Sequence, residues 1–118
     1  METDADIARL RAAIRNRRQI MFVSDGRPRE ACPHLLGRKR GGRWAVLVWQ
    51  FSGASKRGGL PEWRCFELRD MRDLKIRPGK WHRGHVTGRN EQHCVARIDT
   101  QVDAAHGPIA DRTPRSQR

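Results

Sequence analysis

Apolar and polar residues alternate along this chain with two different periods. Over residues 4–16 the apolar side chains recur at helical spacing, which predicts a helix with one apolar stripe. The stripe consists of Ile7, Leu10, Ala13 and Ile14. Thr3 stands just before this run and Asp6 follows three residues later, an arrangement typical of a helix N-cap with a capping box.

From Gln19 onward the period shortens toward two, which is typical of strands. The pattern predicts four or five short strands joined by tight turns. Their ranges are 20–23, 29–36, 44–51, 63–68 and 73–77. The third, WAVLVWQF, is apolar on both faces, so we expect it to be central in a sheet. Pro33 has no N–H to donate and predicts an edge or a bulge in the second strand.

The segments between and after these strands are polar. Residues 37–43 (GRKRGGR) predict a glycine-rich turn with four positive charges, and residues 52–62 predict a loop. Residues 78–103 form a C-terminal extension that we expect to add one strand from within 94–102. Residues 104–118 have the composition of a disordered tail.

The whole chain therefore predicts one mainly β domain, in which a helix covers a small, strongly bent and closed sheet over residues 1–77. In the fourth strand, we expect Trp63 and Cys65 to be buried. No stretch of 18 apolar residues occurs, and the N-terminus METDADIARL lacks an apolar core, so we expect neither a membrane-spanning helix nor a secretory signal.

The charge of the chain indicates what kind of partner it binds. The 118 residues carry 25 Lys or Arg, most of them arginine, against 13 Asp or Glu, a net charge of +12. Most of this surplus lies within residues 1–77. Such a chain attracts polyanions, and the planar guanidinium fork of arginine suits phosphate. An arginine-rich composition with a solvated surface is the alternative explanation.

Three cysteines, Cys32, Cys65 and Cys94, are far apart in the sequence. Their odd number and spacing do not indicate a disulfide framework. We therefore expect reduced thiols and a cytoplasmic protein.

Four segments, taken in order, resemble the WYL domain family. Residues 13–22 (AIRNRRQIMF) resemble its helix-to-strand entry, and residues 29–37 (REACPHLLG) are similar to its R-x-V-x-P-H-x-L stretch. Residues 44–49 (WAVLVW) stand where the Trp-Tyr-Leu signature usually lies, and residues 63–68 (WRCFEL) resemble its R-x-F-x-L strand. The resemblance spans about residues 7–77.

This resemblance implies an Sm-like, SH3-type barrel of about five strands with an N-terminal helix. It also implies a ligand-binding role, because WYL domains typically sense nucleic-acid or nucleotide-like effectors in bacterial transcription regulators and defence proteins. The positions that it carries over as ligand contacts are His34, Trp44 and Arg64. Such barrels often associate through edge strands, and by analogy residues 92–102 are the candidate for contact between copies.

The residues themselves suggest a basic face for a nucleic acid or nucleotide-like anion. Its candidate members, in addition to His34, are Arg38, Lys39, Arg40, Arg43, Trp44, Lys56, Arg57 and Arg64. Trp44 would offer a plane on which a base stacks, or it would simply fill the core. His34 would contact a phosphate, or it would hydrogen-bond to the backbone as a structural residue.

Other functions receive less support from the sequence. His82, His85, His93 and Cys94 include zinc-ligand types, but His93 and Cys94 are adjacent and would point to opposite faces of a strand. No cofactor motif or catalytic motif is present, so a small histidine-based nuclease is the weakest alternative. A module that docks an acidic protein through the basic face is the alternative to nucleic-acid binding.

Overall fold

The structure, a computed structural model, describes residues 3–53, 59–86 and 92–110 of the chain. The elements are α1 (Asp4–Arg15), β1 (Gln19–Ser24), β2 (Arg27–Arg38), β3 (Trp44–Gly53), β4 (Glu62–Glu67), a 3₁₀ turn (Leu68–Asp70), β5 (Met71–Arg77), β6 (His85–Val86), β7 (Arg97–Gln101), a second 3₁₀ turn (Ala104–His106) and β8 (Ile109–Ala110). The predicted helix and all five predicted strands are confirmed, with ends that differ by a few residues.

Helix α1 begins as the sequence predicts. The hydroxyl of Thr3 accepts a hydrogen bond from the backbone N–H of Asp6 and donates one to the Asp6 carboxylate. The four stripe residues Ile7, Leu10, Ala13 and Ile14 are all buried against the sheet. The thin stripe therefore holds α1 on the sheet, since a 12-residue helix is marginal alone.

The sheet is antiparallel, with strand order β4-β3-β2-β1-β5, and β7 pairs with β2 beside this path. Strand β3 has a neighbour on each side, so its predicted interior position is confirmed. Strands β4 and β5 each have one neighbour, and no ladder of the described residues joins them. The sheet is therefore open, whereas the sequence predicts a closed one.

Pro33 lies at an irregularity of β2. Along one side β2 pairs continuously with β3, but the register shifts between Pro33 and Leu35. Along its other side β2 pairs with β1 up to Ala31 and with β7 from Leu35 onward. Proline is tolerated here because no partner on that side needs its missing N–H. Of the two predicted alternatives, the bulge is confirmed.

The two faces of the sheet are covered by different parts of the chain. Helix α1 packs on the face that carries Val46, Val48 and Phe66. The alternate residues of β3 and β4 point the other way, toward residues 80–85, which we call the strap. The strap contacts Trp49, Phe51 and Trp63. The extension thus provides a second cover for the sheet as well as the predicted added strand, β7.

The bonding state of Cys65 and Cys94 differs from the prediction. The sequence predicts reduced thiols, but these two residues form a disulfide between β4 and the segment before β7. Cys65 is exposed, where burial was predicted, while Cys94 is buried with Leu35, Ala45 and Val95. The folded chain brings together two cysteines 29 residues apart, which spacing alone does not reveal. Cys32 remains a free, buried thiol.

Ordered structure continues past Ala104, where the sequence predicts that a disordered tail begins. Asp103 caps the second 3₁₀ turn through its bond from the N–H of His106. Beyond that turn, β8 pairs in parallel with β6 of the strap segment. These residues are ordered because they anchor the strap: the carbonyl oxygens of His106 and Gly107 accept bonds from Trp81 and Arg83. Residues 111–118 lie outside the described residues.

Candidate anion-binding site

The turn between β2 and β3 is closed by its own backbone. The N–H of Lys39 donates to the carbonyl of Arg43 at 2.8 Å, and the N–H of Gly42 donates to the carbonyl of Lys39 at 2.8 Å. Strand pairing continues up to Arg38 and Trp44 on either side of the turn. The predicted basic turn is therefore confirmed as a compact hairpin connection.

A cavity of about 410 Å³ lies between this turn and the segment before β7. We call it the turn cavity. It is lined by Lys39, Arg40, Gly41, Arg43, Gln92, His93, Cys94, Val95 and Ala96. Three of these side chains are cationic and none is a carboxylate, so the cavity favours an anion.

Residues 92–96, the far wall of the turn cavity, are held by three kinds of contact. The Gln92 side-chain oxygen accepts bonds from the N–H groups of Cys94 and Val95 at 2.8 and 3.0 Å. The N–H of Ala96 donates to the carbonyl of Arg38 at 2.8 Å. The disulfide from Cys94 to Cys65 then ties the wall to β4. No motif in the sequence indicates this wall.

The cations of the turn differ in how they are paired. Arg43 makes a two-pronged ion pair with Glu67, with N–O distances of 2.9 and 3.2 Å. This contact raises the pKa of Arg43 and lowers the pKa of Glu67. In the part of the chain that the structure describes, neither Lys39 nor Arg40 belongs to an ion pair. These two residues are therefore the cations available to a ligand.

A second cavity of about 370 Å³ adjoins the first, since Lys39 lines both. We call it the arginine cavity. Its lining consists of Ser24, Asp25, Arg29, Lys39, Arg64, Cys65, Phe66, Glu67 and Asp70. Its three cations face three carboxylates, so it is closer to electrical balance than the turn cavity.

Arg29 also lines this cavity, although it is not among the residues that the sequence predicts for the basic face. Only 2% of its surface is exposed. One terminal nitrogen donates to the carbonyl of Ser24 at 3.1 Å and the other lies 3.5 Å from the Gln50 side-chain oxygen. Its Nε has no hydrogen-bond partner among the described residues. Burial, with the charge of Arg64 adding to it, lowers the pKa of Arg29.

Arg64 reaches the arginine cavity from β4. Its guanidinium lies 5.2 Å from the ring centre of Phe66, and so does that of Arg29. Arg64 also pairs with Glu62 at 3.3 Å. Two guanidinium groups therefore meet at one aromatic ring. The sequence carries no signal for Arg29, because it stands at the polar start of β2, between Pro28 and Glu30.

His34 is separated from this surface. It is buried beneath the strap, with ring centres of Trp63 and Trp81 at 5.0 and 4.8 Å. Its Nε2 donates to the carbonyl of His82 at 3.0 Å, while Nδ1 has no partner. Burial lowers the pKa of His34 to about 4. The structure thus gives His34 the structural backbone bond that the sequence left as an alternative.

Trp44 lies beside the turn and is half-buried against the α1 core. The guanidinium carbon of Arg38 is 4.5 Å from the centre of its ring, and that of Arg11 is 5.8 Å away. Both Trp44 and Arg38 are therefore engaged with other parts of the chain. The remaining members of the predicted face, Lys56 and Arg57, lie outside the described residues.

The zinc-ligand types do not form a metal site in the described ranges. Cys94 is bonded to Cys65, and His82 stacks on Phe51 with ring centres 4.1 Å apart. His85 packs near Trp49. Across residues 3–53, 59–85 and 92–109, no three His, Cys, Asp or Glu side chains are grouped so as to hold a metal ion.

Comparison with known proteins adds no assignment. No family model matches the chain, and neither a curated protein nor a solved structure matches it. Among the described residues, no helix has the length and apolar character to cross a membrane.

Proposed function

We propose that this protein is a non-enzymatic binding module for a nucleic acid or nucleotide-like anion, held on the turn cavity and the arginine cavity. The observation that carries the proposal is the lining of the turn cavity: among the described residues it contains Lys39, Arg40 and Arg43 and no carboxylate. A phosphate placed there exchanges water for charge-assisted hydrogen bonds, which are stronger than neutral ones.

The two cavities suit a chain of phosphates better than one isolated phosphate. Lys39 belongs to both linings, so successive phosphates would pass from Arg40 across Lys39 toward Arg64 and Arg29. In the arginine cavity, an added anion would also reduce the repulsion between the two guanidinium groups at Phe66.

The linings favour recognition of the backbone over recognition of bases. Among the described residues that line the turn cavity there is no Trp or Phe, and the one aromatic ring is the imidazole of His93. Phe66 already has two guanidinium groups beside it, and Trp44 has Arg38. Phosphate contacts position a nucleic acid without reading its sequence, so the proposed binding is independent of base sequence.

The fold part of the proposal is that the sheet is an open form of a small Sm-like barrel of the WYL kind. Two features support it: consecutive strands β1 to β4 are neighbours, and β5 returns to pair with β1. The N-terminal helix packed on the sheet is also what the resemblance implies.

The test is the anisotropy of a fluorescent single strand of about 12 thymidines, titrated with the full chain at several salt concentrations. We expect log affinity to fall with log salt at a slope of about −0.7 for each phosphate neutralised. Lys39→Gln and Arg40→Gln should each weaken binding and make the slope shallower by about 0.7. Absence of binding at low salt would overturn the proposal.

Arg18→Gln is the matched control, because Arg18 is exposed, carries the same charge and lines neither cavity. If Arg18→Gln weakens binding as much as Arg40→Gln, net charge alone is responsible and the site is wrong. Polyglutamate of similar length serves as competitor. Displacement of the oligonucleotide by polyglutamate at equal charge concentration would favour the acidic-protein alternative instead.

A further inference from the structure

The disulfide lies where the two cavities meet. Cys94 lines the turn cavity and Cys65 lines the arginine cavity, and the bond between them joins β4 to the wall formed by residues 92–96. Lys39 is the other residue that connects the two linings. A change at this bond therefore changes the anion-binding surface itself.

We propose that the Cys65–Cys94 bond is a redox control of anion binding, in which the oxidised form is the tight-binding state. This inference rests on the proposed function. With the bond intact, the wall is held in place before a ligand arrives. Without it, residues 92–94 must be ordered when the ligand binds, and that loss of conformational freedom lowers the affinity.

The remaining contacts of the wall determine how far the change extends. Val95 is buried with Leu35 and Ala45, and Ala96 is bonded to Arg38. These contacts do not involve either sulfur, so they hold the end of the wall nearest β7 after reduction. The change is therefore confined to residues 92–94 and does not unfold the sheet.

The two cysteines differ in exposure, and we expect this difference to decide which sulfur a reductant attacks. Cys65 is exposed and Cys94 is buried. A thiolate of a dithiol reductant attacks the Cys65 sulfur, the bond to Cys94 breaks, and Cys94 leaves as a thiolate that takes up a proton. The second thiol of the reductant then displaces Cys65. Two electrons and two protons reach the protein, and the dithiol becomes a cyclic disulfide.

The third cysteine does not take part. Cys32 is fully buried, and burial raises the pKa of its thiol to about 11. It accepts a bond from the N–H of His82 beneath the strap and lines neither cavity. Cys32→Ala is therefore the matched control for loss of a sulfur elsewhere.

The experiment measures binding of the same thymidine strand to the full chain in dithiothreitol and in its oxidised cyclic form. Counting thiols in denaturant verifies the two states. We expect the reduced protein to bind about fivefold more weakly. Cys65→Ser/Cys94→Ser should bind like the reduced protein and ignore the reductant, whereas Cys32→Ala should respond as the unaltered chain does.

Hydrogen exchange separates a local effect from unfolding. Reduction should speed exchange at the N–H of Cys94, which is bonded to Gln92, and leave the N–H of Ala96 and those of β1 unchanged. Equal affinity in both states would overturn the redox control while leaving the proposed function intact. Loss of binding in the oxidised state as well would overturn the proposed function. Faster exchange throughout the sheet would also overturn the redox control, since the bond would then be a general stabiliser.

Discussion

The imidazole of His34 and the backbone of His82 are joined by a 3.0 Å hydrogen bond, which ties the strap to the centre of β2. Two tryptophan rings enclose the same imidazole. The bond requires one ring nitrogen to carry a proton, but a second proton would place a buried charge beside Nδ1, which has no partner.

This relationship predicts a pH dependence of stability. Burial lowers the pKa of His34 from 6.5 to about 4. Because the unfolded chain takes up the proton more readily, the contribution of neutral His34 is complete above pH 6.5 and is lost as pH falls toward 4. The loss should approach about 3 kcal/mol in the free energy of unfolding. Urea unfolding at a series of pH values measures it.

His34→Gln should remove most of this pH dependence between 6.5 and 4 and leave the smaller part due to His82, whose pKa burial also lowers. His93→Gln, which alters an exposed histidine, should keep it all. A similar slope in both variants would mean that other groups titrate. The effect of Asp99 on stability can be told from that of His34 by its pH range, since the bonds of Asp99 to Arg11 lower its pKa to about 2. Its contribution is therefore lost only at a lower pH, between 3.8 and 2.

Gly84 should be intolerant of any side chain. Its φ is +69°, and an added Cβ would lie 2.8 Å from atoms of both Trp49 and Trp63. Gly26 has nearly the same φ, +68°, but open space around it. Gly26→Ala should therefore cost about 1 kcal/mol of stability for its backbone conformation alone. Gly84→Ala should cost about 2 kcal/mol more. Thermal unfolding and tryptophan fluorescence compare the pair, and equal costs would show that the strap does not pack on these rings.

Arg29 should matter more for binding than for stability. Its charge is buried without an ion pair among the described residues, and its Nε has no partner. Replacing Arg29 with an apolar side chain removes the cost of burying its charge, but it leaves the Ser24 carbonyl without its donor, and the two effects oppose each other. Arg29→Met should change the free energy of unfolding by less than about 1 kcal/mol. It should also make the salt slope of oligonucleotide binding shallower by about 0.7. An unchanged slope would exclude the arginine cavity from the site.

Trp44 should not be needed for stacking on a base, although the sequence makes it a candidate. Its ring already has the guanidinium of Arg38 at 4.5 Å. Trp44→Phe should therefore leave the affinity for the thymidine strand unchanged. The anisotropy titration decides this, and a clear loss of affinity in a folded variant would show that a base displaces Arg38 from the ring.

Local patterns were sufficient for α1, for β1 to β5 and for the basic turn, but not for β6, β8 and the 3₁₀ turn at Ala104–His106. The cap at Thr3, the stripe that begins at Ile7 and the bulge at Pro33 each depend on residues close in sequence, and all are present. Of the two walls of the turn cavity, the sequence predicted only the one formed by the basic turn. Lys39 and Arg40 are conspicuous in the sequence, but their opposite wall comes from residues more than 50 positions later.

By itself, then, the sequence determined a helix, five strands and a concentration of positive charge at one hairpin. These features follow from the backbone preferences and the side-chain period of neighbouring residues. Only the tertiary structure decided that the sheet stays open, that Cys65 meets Cys94, and that His34 and Arg29 are buried. Each of these outcomes depends on packing between distant segments, such as the strap on β2. The periodicity of a strand shows which of its faces is buried, but it does not show which distant segment covers that face.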